Sequence, residues 1–219
     1  MQRIQPLKGL LRPKDAFYQL EHAETIRGLW KPLFVLTLLS IIIYTSGAWL
    51  GIGSEAISSQ LPNVTASQFE WMKALFTIGN AIWGLLFALF VIFIPSLLFW
   101  VLLDVEYFKT LGLQTWVLSI YLIEAAILVP LSILWGLDRP SSPFGLGPLS
   151  QYVTNKELIV KFFGFISIFQ IWAAVMQYQF LKRISPKNKG FILLIVVSIS
   201  IIWWMFGALA SSIHINRIF

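Results

Sequence analysis

Long apolar stretches recur along this chain, and each is long enough to cross a lipid bilayer. A helical span needs about 20 mostly apolar residues to traverse ~30 Å of hydrocarbon. Such segments are expected near 33–53, 77–103, 113–135, 159–181 and 190–212. Lipid offers no hydrogen bonds, so each span must satisfy its own backbone, as helices do. Hydrophobic residues make up 58% of the 219 and charged residues 12%, against about a quarter charged in soluble domains. A single soluble core has no room for that much apolar surface. The expected fold is all-α, a polytopic membrane helix bundle of about five transmembrane helices. Pro95 lies inside the second span, which predicts tilt or a kink there.

The flanks carry the charge. Residues 1–32 form a basic head in which Pro13 suits a first helical turn, and Ala16, Phe17, Leu20 and Ala23 follow at helical spacing. Trp30, Lys31 and Pro32 mark the water–lipid boundary. The head therefore reads as an interfacial amphipathic segment, with a solvated tail as the alternative. The first span reads as an uncleaved signal anchor, residues 33–212 as one membrane domain, and residues 213–219 as an external tail. A polar loop, Gly53 to Lys73, separates the first two spans and contains the glycosylation triplet Asn63-Val64-Thr65.

With the N-terminus in the cytoplasm, eleven of the 16 lysines and arginines lie on the inner side, as the positive-inside rule requires. The net charge of +6 is then topological and calls for no nucleic acid. The expected location is the cell membrane, multi-pass, with an external C-terminus and the bilayer as first partner. Trp49, Trp71 and Trp135 fall at the outer boundary, and Trp30, Trp100 and Trp116 at the inner one. Trp83, Trp172, Trp203 and Trp204 lie deeper and are expected between helices.

Chemistry-bearing patterns are sparse. There is no cysteine, no G-x-S-x-G, no H-E-x-x-H and no Walker sequence. His22 and His214 each lack a second ligand at metal spacing. No catalytic residue, metal or cofactor is expected. Glu124 is the anomaly, at the centre of the third span. A charge at mid-bilayer costs about 2.5–3.5 kcal/mol on insertion scales, so it must be neutralised, paired or wetted. Gln170, midway along the fourth span, is the partner expected by depth, with Tyr121 one turn away. Two readings follow: proton or cation handling, or an uncharged carboxyl hydrogen-bonded between helices.

Asp104, Glu106 and Lys109 occupy the short turn after span two, where two carboxylates make a poor cation site and a solvated turn is the simpler reading. Gly47 with Gly51, and Gly207 with Ser211, have the small-xxx-small spacing that lets helices approach, and Trp172 is expected among the packing residues. The loop Ser141 to Pro148 contains Pro143, Phe144, Leu146, Gly147 and Pro148. It is expected to cap the outer bundle end with Phe144 and Leu146 pointing inward, a mobile loop being the alternative.

Several stretches carry a resemblance. The head reads Leu10-Leu11-Arg12-Pro13-Lys14-Asp15-Ala16-Phe17, and the turn after span two reads Tyr107-Phe108-Lys109-Thr110-Leu111-Gly112-Leu113. The outer loop reads Ser142-Pro143-Phe144-Gly145-Leu146-Gly147-Pro148-Leu149, followed by Ile168-Phe169-Gln170-Ile171-Trp172 and Ile184-Ser185-Pro186-Lys187-Asn188-Lys189. In order and spacing these stretches resemble the Yip (Ypt-interacting protein) domain family of five-span membrane proteins. The resemblance implies a non-enzymatic helper. Eukaryotic members work with small GTPases in vesicle traffic, but their Asp-Leu-Tyr-Gly-Pro sequence is not found here. The expectation is therefore the bacterial role: an accessory or assembly subunit of an export ABC transporter of the macrolide type, partnered by the permease, its ATPase or a membrane-fusion protein. The competing reading is a small secondary transporter using Glu124. It is weakened by the lack of an internal repeat and of broken helices, with Pro95 and Pro130 as the remaining irregularities.

Overall fold

The structure, a computed structural model, describes residues 6–23, 28–58, 62 and 64–212. Asn63 of the triplet and the tail 213–219, with His214, lie outside the described residues. The helices are α1 (Pro6–Leu11), α2 (Pro13–Glu21), α3 (Trp30–Trp49), α4 (Glu55–Ser58), α5 (Ala66–Leu103), α6 (Tyr107–Trp135), α7 (Gly147–Gln151), α8 (Glu157–Phe165), α9 (Ile168–Ile184) and α10 (Lys189–Ser212). Among the described residues, β-pairing is confined to one isolated bridge. Helices α3, α5, α6 and α10 are each long and apolar enough to cross a membrane. The chain is thus an all-α polytopic membrane bundle. Its exposed surface is studded with residues such as Ile78, Ile94, Leu194 and Ile202, which lipid solvates and water would not.

The expected fourth span differs. Residues 159–181 do not form one helix: α8 stops at Phe165, Ile166 and Ser167 are non-helical, and α9 begins at Ile168. Neither piece alone has the length of a span.

Helix α6 is the axis of the bundle. Every residue from Thr110 to Ile120 is buried, because α3, α5 and α9 pack around it and α1 and α2 close one end. The most extensive helix–helix contact joins α3 to α5. There the Ser40 hydroxyl donates to the Gly84 carbonyl at 2.7 Å, and a Cβ on Gly84 would stand 3.0 Å from the Ile41 backbone. Small-residue packing therefore operates at Ser40 and Gly84. At Gly47 and Gly51 it does not: α3 ends at Trp49, and Gly51 sits beyond it with φ +90°. Gly207 does permit a close approach, since a Cβ there would lie 2.5 Å from the Phe165 ring. Ser211 lies one turn on, and its carbonyl accepts from Lys161 Nζ at 2.8 Å.

Helix α5 starts at Ala66, eleven residues before the expected span. A capping box sets that start: Gln68 N–H donates to Thr65 Oγ1 at 3.4 Å, and Thr65 N–H donates to Gln68 Oε1 at 2.9 Å. With 38 residues the helix runs about 57 Å, longer than a perpendicular crossing of the ~30 Å hydrocarbon layer needs.

The head is docked on the bundle rather than laid on a lipid surface. Phe17 is 1% exposed, its ring 5.7 Å from that of Trp116 and 5.4 Å from that of Phe180, with the Arg183 guanidinium 5.5 Å above it. Gly9 crosses so close to Trp116 that a Cβ would meet the indole at 2.2 Å. Trp116, expected in the inner belt, is buried beneath this head. The turn from α5 to α6 lies at the same end. Asp104 takes the left-handed conformation (φ 52°), which Asp tolerates better than most side chains. Lys187 Nζ donates to Asp104 Oδ2 at 2.6 Å, and the Ser185 hydroxyl donates to the Leu103 carbonyl at 2.8 Å. Lys109 pairs with Glu106 at 2.9 Å. The carboxylates of the turn thus face separate lysines, and Asp104, with the Ser185 bond, clasps the α5–α6 turn to the α9–α10 turn. We call this the head end, and the opposite one the loop end.

Candidate functional site

At the loop end, the chain leaves α6 through Gly136 (φ 64°), passes a 3-10 turn at Arg139–Ser141, and enters the gap between α8 and α9. A helix interrupted at membrane depth exposes backbone groups that need partners. The loop supplies them. Ile168 N–H donates to the Phe144 carbonyl at 2.9 Å, and Leu146 N–H to the Ile166 carbonyl at 3.1 Å. Ser167 then caps α9, its hydroxyl accepting from Gln170 N–H at 3.2 Å. Glycines make the wedge fit. A Cβ on Gly147 would come within 2.0 Å of the Pro140 carbonyl oxygen, and one on Gly164 within 2.9 Å of Pro140 Cα. Phe144 packs edge-on against Phe169 with ring centres 5.6 Å apart. Pro148 sits in the first turn of α7 and Pro143 is exposed. Leu146, expected to point inward, is 38% exposed. Its backbone (φ −82°, ψ 0°) has already left the extended course to start α7, and the turn swings the side chain outward.

The wedge carries a charge into the bundle. Arg139, counted as an external loop residue, places Nη1 3.8 Å from Glu124 Oε1. Its guanidinium also lies 4.8 Å from the centre of the Phe165 ring. Gln170 Nε2 donates to Glu124 Oε2 at 3.2 Å. Beside the expected partner Gln170, a long side chain from the adjoining loop thus extends inward to Glu124. The guanidinium places a counter-charge beside the carboxyl. Tyr121 packs on Phe87, ring centres 6.4 Å apart. A second polar layer lies toward the head end, where Gln177 Nε2 donates to Gln114 Oε1 at 3.3 Å. Both glutamines sit mid-helix in apolar stretches, a signal of the same kind as Glu124. Trp172, expected in helix packing, is 39% exposed.

Beside the cluster is a cavity of about 590 Å³, within the roughly 300–1,000 Å³ of ligand pockets. It occupies the gap between α3, α5 and α6 on one side and α8 and α10 on the other, in the half nearer the loop end. Its walls are largely apolar and aromatic, including Trp83, Phe87, Phe90 and Trp203, while Gln170 and Arg139 are among its polar lining residues. Glu124 sits behind them. Asp138 stands at the lining's edge, and partial burial, then the Glu55 carboxylate, hold its carboxyl above the ordinary carboxylate value. Among the described residues no group of three His, Cys, Asp or Glu is placed to hold a metal. The arrangement can fix helices through a neutralised ion pair and present hydrogen-bonding groups to an apolar cavity. No match to this chain was found among protein-family models, curated proteins or solved structures.

Proposed function

We propose that this protein is a non-enzymatic accessory or assembly subunit of an export ABC transporter in the cell membrane. One observation supports the reading beyond the sequence resemblance. At the head end, Phe17 of the stretch 10–17 packs on Trp116 and Phe180 with the Arg183 guanidinium over its ring, and Lys187 of 184–189 pairs with Asp104, in the turn that leads into 107–113. A built, basic surface formed by separated segments suits a docking face for another membrane protein better than it suits chemistry on a small substrate. The partner is the permease, its ATPase or the membrane-fusion protein. Mild-detergent purification from native membranes tests this. The expected result is co-purification of a permease, reduced several-fold by Lys187→Glu together with Arg183→Glu. Recovery of the chain alone, with export unaffected by its deletion, would contradict the reading.

A second reading, a small secondary transporter, gains from the break between α8 and α9. Transporters place interrupted helices beside their ion sites, and this break adjoins Glu124. Against it stands the Arg139 partner, which fixes the carboxylate. Export assays on Glu124→Gln separate the two readings: loss of activity with intact assembly favours transport, and retained activity favours the accessory role.

A further inference from the structure

We infer that the loop-end cavity binds an uncharged, hydroxyl-headed apolar molecule, with the hydroxyl between Gln170 and Arg139. The inference is independent of the accessory role. Gln170 is 3% exposed, lines the cavity, and uses its amide nitrogen on Glu124. Its Oε1 has no partner. Leaving a buried acceptor empty costs about 1–3 kcal/mol, so a donor is wanted at this point. Arg139 lines the same cavity, and its polar contact among the described residues is the 3.8 Å approach to Glu124. That distance is too long for a good hydrogen bond, so guanidinium N–H groups are open to an acceptor.

Charge selects the headgroup. A phosphate or carboxylate would lie against the Glu124 carboxylate and the lone pairs of Gln170, and Arg139 is already offset by Glu124. An ammonium would meet the guanidinium. A hydroxyl donates to Gln170 Oε1 and accepts from Arg139 while adding no charge. The aromatic and aliphatic walls then take the apolar body. Such a molecule has two sources, a neutral lipid of the surrounding bilayer or a lipophilic compound from solution. A water molecule is the rival occupant, since it has the same hydrogen-bonding capacity.

Tryptophan quenching distinguishes these. Trp83 and Trp203 line the cavity, and bromine quenches indole on contact. The full-length protein in phosphatidylcholine vesicles is titrated with dibromododecanol, with its methyl ether, and with a brominated diacylglycerol. The expected result is saturable quenching by the alcohol with about tenfold weaker binding of the ether, which cannot donate. Gln170→Met should erase that tenfold difference, and Ala210→Phe, which fills the cavity, should abolish saturation. Trp83→Phe with Trp203→Phe should remove the saturable signal. Saturation by the diacylglycerol as well identifies a bilayer source; saturation by dibromododecanol alone identifies a small lipophilic compound. Equal, non-saturating quenching by alcohol and ether would overturn the proposal and leave the cavity to water or bulk lipid. If Gln170→Met does not fold, the alcohol–ether ratio in the unaltered protein decides by itself.

Discussion

Glu124 and Arg139 set the energetics of the bundle interior. Removing one member of a buried ion pair typically costs about 3–5 kcal/mol, because the other is stranded. The two members are not equivalent here. Glu124 is 3% exposed and held on a rigid helix, while Arg139 is 24% exposed on a loop. Arg139→Gln should therefore destabilise the protein more than Glu124→Gln, since the freed guanidinium can swing toward water and the carboxylate cannot. The double variant should recover part of the loss, with a coupling of about 0.5–3 kcal/mol. Thermal unfolding in detergent measures all three; simple additivity would show that the 3.8 Å pair is not energetically coupled. Glu124 was legible in the sequence because a lone acid in an apolar run has no ordinary explanation. The approach of Arg139 was not. It depends on a loop folding back into a helix break, and a count of loop charges treats every loop residue as lying in water.

At the level of elements, the wedge between α8 and α9 is the least regular feature and the most sensitive to packing. Gly147→Ala would drive a methyl group to 2.0 Å from the Pro140 carbonyl oxygen, and a strain of this kind costs about 1–3 kcal/mol. The loop should then detach from the break, leaving Ile166 and Ile168 without backbone partners. We expect faster proteolysis between 141 and 149 and a lower unfolding temperature. Gly79→Ala serves as the control, since a Cβ there meets nothing within 4 Å. Equal behaviour of the two variants would contradict the wedge. The break itself was illegible from hydropathy, because residues 157–184 hold no proline and an apolar window averages over Ser167. Two cues were available: Gly164, and Ser167 three residues before Gln170 as a helix cap. The early start of α5 was equally readable in Thr65 and Gln68. The docking of the head was not, because helical spacing at Phe17 and Leu20 fits a lipid surface and a protein surface alike.

Across the whole molecule, the two ends are built differently. The head end gathers α1, α2 and the turns at 104–106 and 185–188 into a basic, clasped surface. The loop end carries the wedge, the ion pair and the cavity. Between them α8 and α9 run the length of the bundle, since Gly164 touches Pro140 at one end and Ser185 bonds Leu103 at the other. We propose that the broken helix is a fifth membrane crossing, with the head end cytoplasmic and the loop end external. Because the chain has no cysteine, single reporters at Gln19, Ser141, Lys189 and Ser212 can be probed in intact cells with a membrane-impermeant thiol reagent. A fifth crossing predicts labelling at Ser141 and Ser212 and protection at Gln19 and Lys189 until the cells are opened. Labelling of Ser141 and Lys189 from the same side would contradict it, because α8 and α9 would then dip into the bilayer and return without crossing.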